Sequence, residues 1–215
     1  MGKIVLATII ISGSAKWLLK VGGNKEKWYG SDRIFMYVMT VFGAMTVNYS
    51  EQCTEYGWVV SNLRLLAGCL LAGGLLSAAY MDRRNCWVYN YVWWWCLPWA
   101  GILGMTAGGG FHGIVAVLVF VMLQQLLFSR MYGKADCHAF SVCALAECGN
   151  AVGMVGFLLQ MLLSVVLLTI VQLFRGNVTP RGRLREPQPF IPYIITAFFS
   201  VTFLESVFRT TYIYA

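Results

Sequence analysis

Hydrophobic residues fall in seven long runs, at roughly 4–20, 34–49, 58–81, 86–106, 111–129, 138–174 and 190–208, and the short breaks between them carry most of the charges. A helix needs about 20 apolar residues to cross the hydrocarbon core of a bilayer, so each run predicts one membrane crossing. The stretch 138–174 is the exception, because as one helix it would rise about 55 Å against a core of about 30 Å. It is expected to fold back near Gly149-Asn150. The first run has Lys3 ahead of it, as a signal peptide would. The small-residue cleavage pattern is weak, however, and Lys16 and Lys20 follow at once, which predicts a retained signal-anchor or an interfacial helix. The pattern as a whole predicts an all-α, polytopic integral membrane protein. Residues 1–57 form an N-terminal membrane extension of one or two helices, and 58–215 form a six-helix membrane core.

The basic residues test this division. With the 82–85 loop taken as cytoplasmic, Arg83 and Arg84 lie on that side, joined two crossings later by Arg130 and Lys134. A hairpin in 138–174 adds Arg175, Arg181, Arg183 and Arg185, and the Lys16–Arg33 segment falls on the same face. The opposite loops, near 50–57, 107–110 and 149–150, contain no lysine or arginine, as the positive-inside rule requires. A single crossing over 138–174 would place the arginine-rich loop outside.

Composition excludes a water-soluble domain: 59% of the 215 residues are hydrophobic and 12% charged, and the mean hydropathy is +0.66. The net charge of +7 sits in short inter-helix loops, so topology accounts for it and no nucleic-acid partner is expected. Seven scattered cysteines form no C-x-x-C pair and no disulfide framework. Cys137, His138, Cys143 and Cys148 do not share one helical face as four ligands must, so no metal site is expected. Gly108-Gly109-Gly110 lacks the lysine and serine of a phosphate loop and reads as an outer turn. Ala72-Gly73-Gly74 reads as a small-residue surface for close helix packing. Arg64 and Glu205 are charges inside nominal crossings, each requiring an interface or a polar partner.

Carboxylates at a membrane boundary are costly and mark function. Asp82 ends the 58–81 run and Asp136 follows the 111–129 run; two intervening crossings return the chain to the same face, so both aspartates lie on one side at similar depth. Two neighbouring carboxylates can share a proton, one activating water while the other donates to a carbonyl oxygen. The alternative is structural: Asp82 neutralised by Arg83 and Arg84, and Asp136 serving as the N-cap of the next helix.

The residues around both aspartates carry a resemblance. Tyr132-Gly133-Lys134-Ala135-Asp136 resembles the G-x-G-D signature of membrane aspartyl proteases, among them the type IV prepilin and preflagellin peptidases. Asp82 is followed by Arg83-Arg84 and then Val88-Tyr89-Asn90, similar to the prepilin peptidase pattern of an aspartate, basic residues and an aliphatic-Pro-Asn triplet, with Tyr89 in place of the proline. Pro189-Phe190-Ile191-Pro192-Tyr193 resembles the P-F-x-P-[FY] element that opens the last crossing in that family. The resemblance covers about 58–215. It implies a membrane aspartyl endopeptidase with Asp82 and Asp136 as the catalytic pair and Gly133, Ala135, Asn90 and Pro192 as supporting positions. The implied partner is a pilin-like or related secretion-system subunit, cleaved at its N-terminal leader near the cytoplasmic boundary of a bacterial inner membrane. Water would be the nucleophile, so no cofactor is implied. The C-x-x-C segment associated with N-methylation in larger members is missing, and methyltransferase activity is not expected. Ala135 stands at the motif's second glycine, where glycine would permit positive φ or close approach of a substrate strand; alanine enters left-handed space at a cost of about 1–2 kcal/mol. Two rival readings remain at this level. One is a small transporter that moves protons or cations through the aspartates; the other is an inactive assembly subunit with the peptidase fold.

Overall fold

The computed structural model describes residues 2–23, 30–52, 57–107, 111–130, 133–147, 153–175 and 188–213, and they form eight α-helices with no strand among them. These are α1 (Gly2–Val21), α2 (Gly30–Gln52), α3 (Trp58–Asn85), α4 (Asn90–Thr106), α5 (Phe111–Leu126), α6 (Lys134–Glu147), α7 (Gly153–Phe174) and α8 (Ile191–Ile213). Four are long and apolar enough to cross a membrane: Gly2–Val21, Trp58–Asn85, Val155–Phe174 and Ile191–Phe208. The chain is therefore an all-α polytopic membrane protein. Its outer surface agrees, since Val5, Ile9, Leu118, Met122, Leu158 and Leu162 are all exposed. Water would penalise such a continuous apolar exterior, whereas lipid does not.

Two helices are enclosed by the rest. α3 packs against α1, α2, α4 and α8, and α6 packs against α4, α5, α7 and α8. α4 and α8 thus touch both and hold them on either side. The fold-back expected in 138–174 is present, with α6 ending at Glu147 and α7 starting at Gly153; Gly149-Asn150 lies outside the described residues. α6 has 14 residues and rises only about 21 Å. Most of its side chains from Cys137 to Glu147 are buried, so neighbouring helices cover a segment too short to face lipid along its whole length.

α1 and α2 are integral to this packing. The buried stripe Ala7, Ile11, Ala15 and Leu18 of α1 lies on α3, where a Cβ on Gly73 would collide with Ser14 Oγ. A Cβ on the next residue, Gly74, would collide with Cys96 Sγ of α4. The small-residue surface read from the sequence therefore admits a helix on each side of α3. The Tyr91 hydroxyl at the start of α4 donates to Leu18 O at the end of α1, at 2.8 Å.

The boundary near Asp82 differs from expectation. The helix does not stop at 81; it continues through Asn85, and the anticipated 82–85 loop is its last turn. Cys86 ends it in the left-handed conformation, at φ 49°, with its N–H bonded to Asp82 O at 2.8 Å. This left-handed C-terminal cap satisfies one of the last helical carbonyls.

Two of the charged segments expected on one face meet in the structure. Arg83 Nε pairs with Asp32 Oδ1 at 2.7 Å, placing the start of α2 beside the end of α3. At the far end of the bundle, Arg64 donates to Leu103 O at 3.0 Å and Thr106 Oγ1 at 2.9 Å. Arg64, Glu147 and Glu205 line a cavity of about 60 Å³ there, and the Thr202 hydroxyl donates to Glu147 Oε1 at 2.7 Å. The charges inside nominal crossings thus meet polar groups within the bundle.

Candidate active site

Asp82 belongs to the last turn of α3 and Asp136 to the first turn of α6. Each enclosed helix therefore brings one carboxylate to a common cavity of about 990 Å³, at the end of the bundle where α3 finishes and α6 begins. Its wall also includes Asn90 and Trp93 of α4, Gly133, Lys134, Ala135 and His138 around the start of α6, Val165 and Leu168 of α7, and Phe190 ahead of α8. The two aspartates lie within electrostatic reach of one another.

Asp82 is 6% exposed. The two arginines that follow it turn elsewhere, as successive helical residues do not share a face. Arg83 and Arg84 direct Nε to Asp32, at 2.7 and 3.9 Å, while Arg84 also donates to the Tyr80 hydroxyl at 3.2 Å. The Asp82 carboxylate instead accepts the Ile191 N–H at 3.0 Å, across 109 positions of sequence. Neutralisation by Arg83 and Arg84 is therefore not what holds this aspartate.

That bond explains the proline-containing segment. Ile191 is the first residue of α8, and a helix N-terminus has donors without intrahelical partners. Asp82 takes the first donor, Pro192 has none to offer, and Tyr193 and Ile194 both donate to Phe190 O, at 3.0 and 3.2 Å. Pro192 is buried in the first turn, where its fixed φ suits a helix start. The helix dipole adds to the attraction between the α8 terminus and a carboxylate. Phe190 packs its ring edge-on against Phe140 of α6, at 5.8 Å between centroids. One short segment thereby ties the end of α3 to the middle of α6. Sequence reasoning singled out the segment holding Phe190 and Ile191 without their roles, and it missed Phe140.

Asp136 is half-buried, and its Oδ2 accepts the Gly133 N–H at 3.2 Å. It is the third residue of α6, so it closes back on the cap position instead of occupying it, as the acidic partner of a capping box does. The expected N-cap role is thus corrected by three positions. Gly133 is tight against it: a Cβ there would sit 3.2 Å from the same Oδ2. Ala135 lies between them in ordinary right-handed helix, and Cys86 is the one non-glycine residue with positive φ among those described. Of the two uses a glycine would have at this position, the left-handed backbone is not adopted by Ala135, because the helix begins before the motif ends. Asn90 opens α4 on the cavity rim and is exposed.

Chemically, this is a cavity with two carboxylates at its wall, one held by a helix N-terminus and one by a backbone amide, with apolar side chains from α4 and α7 opposite. Carboxylates so placed are groups able to exchange protons with a molecule held in the cavity. No family model matches the chain, and no curated protein or solved structure shows significant similarity to it.

Proposed function

We propose that this protein is a membrane aspartyl endopeptidase that cleaves the N-terminal leader of a pilin-like or related secretion-system subunit at the cytoplasmic face of a bacterial inner membrane. The observation that carries this reading is the convergence of Asp82, Asp136 and Phe190 on one cavity, with Ile191 of the same Pro189–Pro192 segment bonded to Asp82, from three regions far apart in sequence. Those are the three places where the chain resembles prepilin peptidases, and the third has a physical task there: its helix start orients the first carboxylate.

In the proposed reaction one carboxylate takes a proton from water while the other, protonated, donates to the scissile carbonyl oxygen. Water adds to the carbonyl carbon, and the tetrahedral intermediate collapses as the leaving nitrogen receives the proton. The wall formed by Val165, Leu168 and Trp93 suits the apolar segment that follows a leader. An ion pathway would instead keep its carboxylates near the membrane midplane, whereas these two stand at helix ends beside an open cavity.

The test is incubation of the reconstituted protein with a leader-bearing pilin-like subunit from the same genome, followed by mass determination of the product's N-terminus. A single cut at the leader boundary is expected. An intact substrate, with the protein folded and the substrate inserted in the same vesicles, would contradict the reading.

A further inference from the structure

His138 is two residues beyond Asp136 and lines the same cavity. Its protonation pattern follows from the groups behind it. The Ser141 hydroxyl donates its single proton to Cys137 O, at 2.8 Å. Toward Gln125, 3.5 Å away, Ser141 can therefore only accept, which makes the nearby Gln125 atom the amide nitrogen. The same nitrogen lies 3.3 Å from His138 Nδ1. An NH₂ group donates and does not accept, so Nδ1 of the neutral ring must be the acceptor and the ring proton must be on Nε2. Trp93 packs beside the imidazole, with centroids 6.0 Å apart, and limits its rotation.

We propose that the chain Ser141–Gln125–His138 fixes His138 as the Nε2–H tautomer, and that this N–H holds a backbone carbonyl of the bound leader peptide in the cavity beside Asp136. The inference rests on the peptidase reading for the identity of the peptide. It assigns His138 to substrate binding and Gln125, on α5, to positioning. An extended peptide entering a membrane cavity must replace the hydrogen bonds its carbonyls made to water, and a neutral donor does so without pairing its charge to either aspartate.

Two measurements test it. The chain has two histidines, so in a His112→Gln background the nitrogen chemical shifts of His138 report its tautomer directly. The Nε2–H form is expected in the parent, and a mixture of tautomers in Gln125→Leu. A parent ring in the Nδ1–H form would overturn the assignment. The second measurement is equilibrium binding of a fluorescent leader-helix peptide, made in the Asp136→Asn background so that cleavage does not intervene. His138→Leu is expected to raise Kd about tenfold, the loss of one hydrogen bond. His138→Gln, which can offer an N–H near the Nε2 position, should bind within about threefold of the parent. Unchanged affinity in His138→Leu, or no peptide binding by the parent, would overturn the proposal. Peptide that binds with the predicted dependence on His138 and yet is never cut by the wild-type protein would instead contradict the peptidase reading alone.

Discussion

Replacing Asp82 separates its structural task from its chemical one. Asp82→Ala removes the acceptor of the Ile191 N–H at the start of α8. A hydrogen bond to a charged acceptor contributes about 1.5–3 kcal/mol, and loss of a helix cap costs about 1 kcal/mol. Relief from burying a carboxylate offsets part of this, leaving a net loss of about 1–2 kcal/mol. Asp82→Asn keeps a carbonyl oxygen at the same place and should cost less than about 1 kcal/mol, the difference between a charged and a neutral acceptor. Hydrogen exchange resolves the effect locally, because Ile191 is the one first-turn amide whose partner is Asp82. Its protection is expected to fall about tenfold in Asp82→Ala for each 1.4 kcal/mol lost, and only a few-fold in Asp82→Asn. Thermal unfolding in detergent should rank the variants in the same order. Unchanged Ile191 protection in Asp82→Ala, or equal losses in the two variants, would refute the capping account.

Three further substitutions probe the frame around the site. Ala135→Gly should lower stability by about 0.5–1 kcal/mol, measured by unfolding, and leave cleavage within about threefold, because Ala135 is already in right-handed helix and glycine has no strain to relieve there. Cys86→Gly should stabilise the protein by about 1 kcal/mol in the same assay, since a non-glycine residue at φ 49° carries left-handed strain. Gly73→Leu should detach α1 from α3 and cost at least about 3 kcal/mol or abolish folding, because even a Cβ there meets Ser14 Oγ; wild-type stability in that variant would show that α1 does not pack as described.

The sequence made legible those features that depend on local pattern and on charge. The fold-back within 138–174 followed from length against bilayer thickness, and the common face of Asp82 and Asp136 from the loops that carry arginine. The Gly73-Gly74 surface was visible because small residues in an apolar run have few other uses. What could not be read were contacts between distant segments. Nothing in Pro189–Pro192 announces that its first helical amide is bonded to a carboxylate 109 positions earlier, and nothing around Arg83 and Arg84 says that both turn to Asp32. At Ala135 the motif position alone does not distinguish backbone freedom from close approach of a substrate strand; the helix start at Lys134, stabilised by the Asp136–Gly133 bond, puts the residue in right-handed helix and leaves close approach as the use open to it. Asp82 was placed in a loop because charged residues usually end an apolar run, yet a left-handed cap at Cys86 lets α3 continue beneath it.

The central claim is that Asp82 and Asp136 act as one acid–base unit on a leader peptide bond. The most direct measurement is leader cleavage by Asp82→Asn, Asp136→Asn and the double variant, each at wild-type abundance in the membrane. Each single variant is expected to abolish cleavage, and the double variant to be no worse than either, because groups acting as a unit are strongly non-additive. Substantial cleavage by either single variant would remove that aspartate from the mechanism and contradict the account.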